Sequence, residues 1–201
     1  FKSLLNISDL TISELEKILE VKHDENKLEG KNIGLLFEKP STRTRLSFTV
    51  GTSHLGGKSI ELRFEDLNIS RDETFEDTFK AFDCYLDGLI YRTTDHSRLT
   101  KATRFFSKPI INALSDISHP CQAISDLYTL KEKFGTLKLN VLWMGDMNNV
   151  CYSLVETANL IKDLKLIICC PSSISQSINW EMKSNIILTS NLDKIDLKSI
   201  N

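Results

Sequence analysis

Short apolar runs alternate with segments of helical periodicity along almost the whole chain, and this alternation limits the fold classes it can adopt. Each apolar run has the length of a β-strand rather than a helix. The run Leu-Ile-Ile-Cys at 166–169 is apolar throughout, as expected of parallel strands covered on both faces. The pattern predicts an α/β fold of doubly wound parallel sheets with right-handed crossovers. We predict strands at 32–37, 59–63, 87–92, 109–113, 139–144, 164–169 and 185–189, and helices at 11–22, 42–55, 73–84, 96–106, 120–133, 149–161 and 173–183.

A glycine after a helical run marks the best candidate for a domain boundary. Gly135 lies between the predicted helix 120–133 and the predicted strand 139–144. We therefore expect two doubly wound domains, the first at 1–134 and the second at 135–201. The final stretch from Leu192 is polar and breaks off abruptly, so the second domain is expected to be incomplete in this chain.

Charge and cysteine content argue against several classes of function. The formal net charge of −2 gives no basic field for nucleic acid or an anionic membrane, and no apolar run is long enough to span a bilayer. No long apolar segment near the start resembles a signal peptide. The five cysteines form no CxxC pair and the four histidines are scattered, so we expect neither a metal site nor a disulfide framework. Thiols in a reducing environment, and hence a cytoplasmic protein, are the expectation.

One loop concentrates hydroxyl and guanidinium groups between a predicted strand and a predicted helix. It contains Ser41, Thr42, Arg43, Thr44 and Arg45. Backbone N–H groups at a helix N-terminus carry partial positive charge, and hydroxyl and guanidinium donors beside them suit phosphate oxygens. The alternative is a helix N-cap followed by two solvated arginines, since Ser and Thr are common caps. The helix that follows is predicted to be amphipathic, with four apolar members: Leu46, Phe48, Val50 and Leu55.

Ligands of open α/β sheets bind at the carboxyl ends of the strands, so residues that follow each predicted strand are candidates. Arg92 stands at the tip of the strand 87–92, within reach of a ligand held by the hydroxyl-rich loop; the alternative is an ordinary surface arginine. His119 and Gln122 flank Pro120 at the start of another predicted helix, where both can face one ligand. A histidine at the positive end of a helix tends to stay neutral and to donate a hydrogen bond. Its alternative role is to cap the loop.

The loop after the strand 139–144 carries two adjacent amides. Its sequence is Gly-Asp-Met-Asn-Asn-Val at 145–150, which resembles part of a dinucleotide site but lacks the full GxGxxG. Asn148 and Asn149 are better interpreted as groups that orient a ligand, or else as loop caps.

Taken together, these loops resemble the aspartate/ornithine carbamoyltransferase family. The matching motifs are Ser-Thr-Arg-Thr-Arg at 41–45, Leu-Gly-Gly at 55–57, Arg92, and His-Pro-Cys-Gln at 119–122, and they occur in the family's order. The loop 145–150, followed by Ser153, is similar to the ornithine-specific branch, whereas the aspartate-specific branch lacks the paired Asn.

The resemblance implies an enzyme that moves the carbamoyl group of carbamoyl phosphate to the side-chain amine of L-ornithine, as in arginine biosynthesis. It assigns Ser41, Thr42, Arg43 and Thr44 to the phosphate. It assigns Arg92, His119 and Gln122 to the carbamoyl group, and Asn149 to the amino-acid end of ornithine. Arg92, His119 and Thr44 are the implied catalytic residues, because they can aim donors at the developing oxyanion.

The resemblance also implies that the reaction needs no cofactor and no metal. Members of the family form trimers with sites at subunit interfaces, so a homotrimer is implied, with neither nucleic acid nor a membrane as partner. In the family, a Gln or His reaches into the neighbouring subunit's site from the loop before the helix 73–84. The aligned residue is Asn68, which is shorter, and the family's usual glycine is missing around it.

Two later motifs of the family do not occur before Asn201: the Asp-x-x-x-Ser-Met-Gly loop for ornithine and the His-Cys-Leu-Pro loop at the carbamoyl site. The expectation is therefore either a truncated chain or a molecule that cannot complete the reaction. Two rival functions remain open. One is a carbamoyltransferase for another acceptor, aspartate or a polyamine, and the other is a non-catalytic scaffold that binds carbamoyl phosphate.

Overall fold

The computed structural model describes residues 3–21, 26–70, 73–175 and 179–201. They form two compact units: the residues up to Leu5 with Val21–Asp116, and Asn6–Glu20 with Ile117–Asn201. Each unit has its own parallel sheet with helices, which confirms the predicted α/β class. In chain order the elements are α1 (Ile12–Glu20), β1 (Asn32–Phe37), α2 (Thr42–His54), β2 (Lys58–Arg63), α3 (Phe75–Tyr85), β3 (Gly88–Arg92), α4 (His96–Ala102), β4 (Ile110–Leu114), α5 (Pro120–Phe134), β5 (Asn140–Met144), α6 (Asn149–Leu160), β6 (Lys165–Cys169), α7 (Ser172–Ser175) and β7 (Ile186–Thr189).

The sheet of the first unit has four parallel strands in the order β2-β1-β3-β4. Phe37, the last residue of β1, pairs with Arg63 of β2 on one side and with Arg92 of β3 on the other. The three strands therefore end at one height, and the loops that leave this carboxyl edge lie beside one another.

Side chains alternate between the two faces of this sheet and build a core on each face. On one face, Leu36 and Tyr91 are fully buried in a cluster with Phe79 of α3. On the other face, Leu35 and Ile90 belong to a second cluster, against which the half-buried side chains of helix α2 and neighbouring segments pack. Both faces are covered, which explains why the strand sequences are almost wholly apolar.

The second unit contains the parallel sheet β5-β6-β7 and the helices α1, α5, α6 and α7. A short 3₁₀ helix, Ile7–Asp9, is held against α6 by the carboxylate of Glu156. That carboxylate accepts hydrogen bonds from the hydroxyl of Ser8 at 2.6 Å and from the backbone N–H of Ile7 at 3.2 Å. Because the side chain lies largely out of water, burial raises the pKa of Glu156 despite these two donors.

Every predicted strand is confirmed to within one residue at each end, and five of the seven predicted helices to within two. Residue 22 of the helix predicted at 11–22 lies outside the described residues. The helix predicted at 96–106 is shorter than expected, because α4 ends at Ala102 and the chain turns so that Phe106 enters the core.

The helix predicted at 173–183 is wrong in its extent. Only Ser172–Ser175 is helical, 176–178 lie outside the described residues, and 179–183 are not helical. Asn159 of α6 explains the last part. Its side-chain amide donates to the carbonyl of Glu181 at 2.7 Å and accepts from the N–H of Lys183 at 3.0 Å, so this backbone is bound to a side chain instead of to itself.

The amphipathic character predicted for α2 is only partly right, because Phe48 packs against the core whereas two other apolar members do not. The side chains of Leu46 and Val50 are 58% and 46% exposed, and the buried residue of this helix is a polar one, Thr52. Leu46 and Val50 are one helical turn apart, so they share one face, and that face is turned to solvent.

Gly135 ends α5 as its sequence predicts, with a left-handed φ of 71° and an N–H that donates to the carbonyl of Lys131. The compact units nevertheless divide after Asp116, so α5 falls into the second unit. The domain assignment of 1–134 and 135–201 therefore stays a prediction.

Candidate functional site

The loop from β1 into α2 carries the hydroxyl and guanidinium groups that the sequence points to. Ser41 is the N-cap residue of α2 and has an extended backbone, but its side chain does not cap the helix. Its hydroxyl lies 3.2 Å from the guanidinium of Arg92, which donates a hydrogen bond to it. The N-cap alternative for this side chain is therefore not what the structure shows, and Ser41 links the start of α2 to the end of β3.

The two arginines of the loop differ in their surroundings. Arg43 is exposed, and within the described residues it forms no ion pair. The guanidinium of Arg45 instead lies over the ring of Phe37, 5.1 Å from its centroid, and 3.5 Å from the carboxylate of Glu61. Arg43 is thus open to a ligand, whereas Arg45 is engaged by the fold.

Arg92 occupies the tip of β3, at the same height as the end of β1. Its side chain is partly buried, and burial lowers the pKa of Arg92. Its Nε is fully buried and has no hydrogen-bond partner among the described residues. A guanidinium with an unused buried donor is a group from which a ligand can accept a hydrogen bond. The alternative of an ordinary surface arginine does not fit this burial.

Glu38 is a residue of this region that the sequence interpretation did not single out. Its side chain is 5% exposed. One carboxylate oxygen accepts from the hydroxyl of Tyr91 at 2.5 Å, and the other from the hydroxyl of Thr93 at 2.9 Å and from the guanidinium of Arg98 at 2.8 Å. Burial, together with the carboxylate, raises the pKa of Tyr91 far above its usual range. The available signal was an acidic residue directly after a buried strand.

A cleft of about 500 Å³ opens beside the loop, towards β2. Ser41 and Thr42 line it together with two cations, Arg45 of α2 and Arg63 at the end of β2. The four residues assigned to the phosphate occupy the start of one helix, α2, in the first unit. Of these, Thr42 is exposed and Thr44 is half-buried.

The second unit contains the other candidates. His119 is the N-cap residue of α5 and Pro120 is its first residue, as the sequence predicts. The His119 side chain is buried, and its backbone N–H donates to the hydroxyl of Ser153 on α6 at 2.9 Å. Gln122 is exposed, and its amide donates to the carboxylate of Asp126 at 2.8 Å. Burial raises the pKa of Asp126, and the donor from Gln122 offsets that effect in part.

The paired amides at the start of α6 have separate roles. Asn148 is the N-cap residue, and its side-chain oxygen accepts from the N–H groups of Val150 at 2.9 Å and Cys151 at 3.2 Å. The loop-cap alternative therefore applies to Asn148. Asn149 is the first residue of the helix and half-buried, and its assignment to ornithine stays a prediction.

Asn68, the candidate for a cross-subunit contact, is exposed and begins the short 3₁₀ helix Asn68–Ser70. Its carbonyl accepts from the backbone N–H of Glu73 at 3.2 Å. The structure thus places this amide at the surface of the first unit, and its role towards a neighbouring subunit stays a prediction. No group of three or more His, Cys, Asp or Glu side chains in the described ranges is arranged to hold a metal ion.

Comparison with known proteins identifies a matching family. Residues 2–132 match the family model described as the aspartate/ornithine carbamoyltransferase carbamoyl-P binding domain. The chain is 44% identical over 165 residues to the ornithine carbamoyltransferase of Methanocorpusculum labreanum, a match that covers 77% of this chain and 54% of that protein. The chain therefore spans about half the length of the curated relatives it matches.

Solved structures agree with this match. The ornithine carbamoyltransferase of Thermus thermophilus superimposes with a TM-score of 0.83 at 35% identity, over 94% of this chain and 68% of that one. The aspartate transcarbamoylase of Trypanosoma cruzi, in complex with carbamoyl aspartate and phosphate, has a TM-score of 0.78 at 21% identity, over 94% and 68% of the two chains. The second similarity reflects the fold alone.

Proposed function

We propose, from the premise that this chain belongs to the aspartate/ornithine carbamoyltransferase family, that its protein transfers the carbamoyl group of carbamoyl phosphate to L-ornithine. The products are L-citrulline and phosphate. The observation that supports this most is the hydrogen bond from Arg92 to Ser41. It brings together two residues assigned to the same ligand, one at the end of β3 and one at the start of α2. Relatives above 40% identity are named ornithine carbamoyltransferases, which favours ornithine over aspartate as the acceptor.

The phosphate of carbamoyl phosphate is assigned to the start of α2. Backbone N–H groups of the first helical turn point out of the helix and carry partial positive charge. Ser41, Thr42 and Thr44 add hydroxyl donors, and the exposed Arg43 adds a guanidinium that matches two phosphate oxygens. These groups stabilise the phosphate dianion more strongly as it leaves, because its negative charge grows in that step.

The carbamoyl group is assigned to Arg92, His119 and Gln122. The neutral side-chain amine of ornithine attacks the carbamoyl carbon and the carbonyl oxygen becomes an oxyanion. The oxyanion then reforms the carbonyl, the C–O bond to phosphate breaks, and the departing phosphate takes up the proton that the amine loses. Arg92, His119 and Thr44 donate hydrogen bonds to that oxyanion. The amine itself is the nucleophile, so no side chain has to form a covalent intermediate.

The second substrate and the assembly complete the proposal. Asn149 orients the amino-acid head group of ornithine. The protein is a cytoplasmic homotrimer with sites at subunit interfaces, where Asn68 is the candidate contributed by a neighbour. A relative named an anabolic ornithine carbamoyltransferase, from Pyrococcus furiosus and 41% identical to this chain, supports a role in arginine biosynthesis.

Two measurements test the proposal. Calorimetric titration with carbamoyl phosphate should show saturable binding, and the full-length protein should form citrulline from carbamoyl phosphate and ornithine. Binding without citrulline formation would favour the scaffold function. A faster reaction with aspartate or a polyamine than with ornithine would reject the ornithine assignment.

A further inference from the structure

We infer that Glu38 is a positioning residue for the carbamoyl phosphate site: its buried carboxylate fixes the backbone around Arg92, assigned to the carbamoyl group, against the loop that carries Ser41, assigned to the phosphate. The inference rests on the proposed function, because it concerns what holds two residues assigned there. Glu38 itself is not assigned any contact with substrate.

The contacts of Glu38 surround Arg92 on both sides in sequence. Its backbone N–H donates to the carbonyl of Arg92 at 3.0 Å, and its carboxylate accepts from the hydroxyls of Tyr91 and Thr93. The N–H of Thr94 lies 3.4 Å from the same carboxylate. One residue of the loop after β1 therefore contacts four consecutive residues at the end of β3.

The carboxylate also binds a cation from a third element. Arg98 of α4 lies 2.8 Å from it, and this hydrogen bond raises the pKa of Arg98. A carboxylate that is 5% exposed is costly to bury unless donors satisfy it, and here both oxygens are occupied. Such a fully satisfied buried network makes the local geometry rigid and unique. The loop that begins with Glu38 reaches Ser41 three residues later, so the position of this loop sets the Ser41–Arg92 distance.

The opposite end of the same strand pair offers a matched control. Asp87, before β3, accepts from the backbone N–H of Asn32 at 2.9 Å and from the ammonium of Lys31 at 3.0 Å, at the start of β1. It therefore joins β1 and β3 as Glu38 does, but far from the helix start that carries the phosphate ligands. If Glu38 served stability alone, removing either carboxylate would have the same kind of effect.

The experiment compares Glu38→Ala, Glu38→Gln and Asp87→Ala in the full-length protein, with carbamoyl phosphate and inorganic phosphate as probes. Calorimetry gives the Kd and urea unfolding gives the stability. We expect Glu38→Ala to raise both Kd values about tenfold, because misplaced ligand groups lose binding steeply. Glu38→Gln keeps the shape and one acceptor oxygen, and should recover most of the affinity. Asp87→Ala should leave both Kd values within about twofold of wild type while lowering the stability.

A double-mutant cycle tests whether Glu38 acts through Arg92. In an Arg92→Ala background, Glu38→Ala should change the Kd for carbamoyl phosphate by less than about twofold, since the carbamoyl ligand that Glu38 positions is gone. If Glu38→Ala does not fold, Arg98→Ala replaces it in the cycle and should also weaken carbamoyl phosphate binding.

The outcomes separate this inference from the proposed function. Wild-type protein that binds neither probe rejects the proposed function and the inference with it. Wild-type protein that binds, beside a Glu38→Ala variant of equal affinity, rejects the positioning role alone. An equal loss of affinity in Asp87→Ala would show a general effect of stability and would also reject it.

Discussion

The hydroxyl of Ser153 on α6 accepts a hydrogen bond from the backbone N–H of His119 at 2.9 Å, and both residues are buried. The same hydroxyl lies 3.0 Å from that of Ser118. One small side chain of α6 therefore holds the two residues that lead into α5. The start of α5 owes its position to a helix that follows it in sequence by about thirty residues.

Ser153→Ala should lower the free energy of unfolding by about 1–3 kcal/mol, because it removes the acceptor of a buried backbone N–H. Urea unfolding followed by circular dichroism measures the change. Ser125→Ala is the matched control, since the Ser125 hydroxyl donates to the carbonyl of Cys121 within its own exposed helical turn. Equal stabilities for the two variants would show that the Ser153 hydrogen bond contributes nothing specific.

Arg43→Ala should weaken carbamoyl phosphate binding by tenfold or more and leave the fold intact. An exposed guanidinium without an ion pair in the described residues supports little of the structure, whereas a charge-assisted pair with phosphate contributes about 1.5–3 kcal/mol. Calorimetry gives the affinity. Arg104→Ala, at another exposed arginine, should bind as wild type does. An unchanged Kd in Arg43→Ala would remove Arg43 from the phosphate assignment.

Asn149→Ala should raise KM for ornithine far more than KM for carbamoyl phosphate, because a polar head group left without its partner costs about 1–3 kcal/mol. Steady-state kinetics of the full-length protein, with each substrate varied in turn, measures both constants. Asn148→Ser keeps a side chain that can cap α6 and should leave both constants close to wild type. A change confined to carbamoyl phosphate would contradict the assignment of Asn149.

Glu156 should make the free energy of unfolding of the wild-type protein smaller as pH rises, because it is buried. Burial raises its pKa above 4.5, the ordinary value, so the folded protein binds this proton more tightly than the unfolded chain does. The contribution of this proton to the free energy of unfolding is complete below the pKa of Glu156 in the unfolded chain. It is lost as pH rises through the pKa of Glu156 in the folded protein. Relative to wild type, Glu156→Gln should therefore gain stability as pH rises from about 4 to about 8.

Urea unfolding across that pH range tests the dependence. Glu132→Gln, at an exposed glutamate of α5, is the control and should run parallel to wild type. A constant difference between Glu156→Gln and wild type at all pH values would show that Glu156 has the same pKa in the folded and unfolded states.

The local elements of this fold could be predicted from the sequence because their signals are local. Apolar runs located the seven strands found among the described residues, and Gly135 located the end of α5. The motifs indicated a resemblance to a family that the comparisons confirm. The end of α7 was missed because Asn159, a residue of another helix, binds the backbone at 181 and 183. Sequence periodicity carries no information about such a partner.

The candidate site shows the same division between local and distant contacts. Helix-start signals correctly placed Ser41 and His119 directly before α2 and α5, although the Ser41 side chain does not cap its helix. The hydrogen bond from Arg92 to Ser41 and the donors around Glu38 join residues more than fifty positions apart, so only the paired strands reveal them. The exposed apolar face of α2 was missed for a related reason. Apolar residues at helical spacing do not show whether their face of the helix packs against the sheet or is exposed to solvent.

The carboxylates of Asp87 and Glu38 lie at opposite ends of the β1–β3 pair, and together they prevent that pair from sliding. A shift of either strand by one residue would turn every side chain to the wrong face and would also separate both carboxylates from their donors. An insertion of one residue within β3 would thus be opposed twice, once at each end. The two ends differ in what else they hold: Asp87 secures the register far from the candidate site, whereas Glu38 also binds the residues on both sides of Arg92.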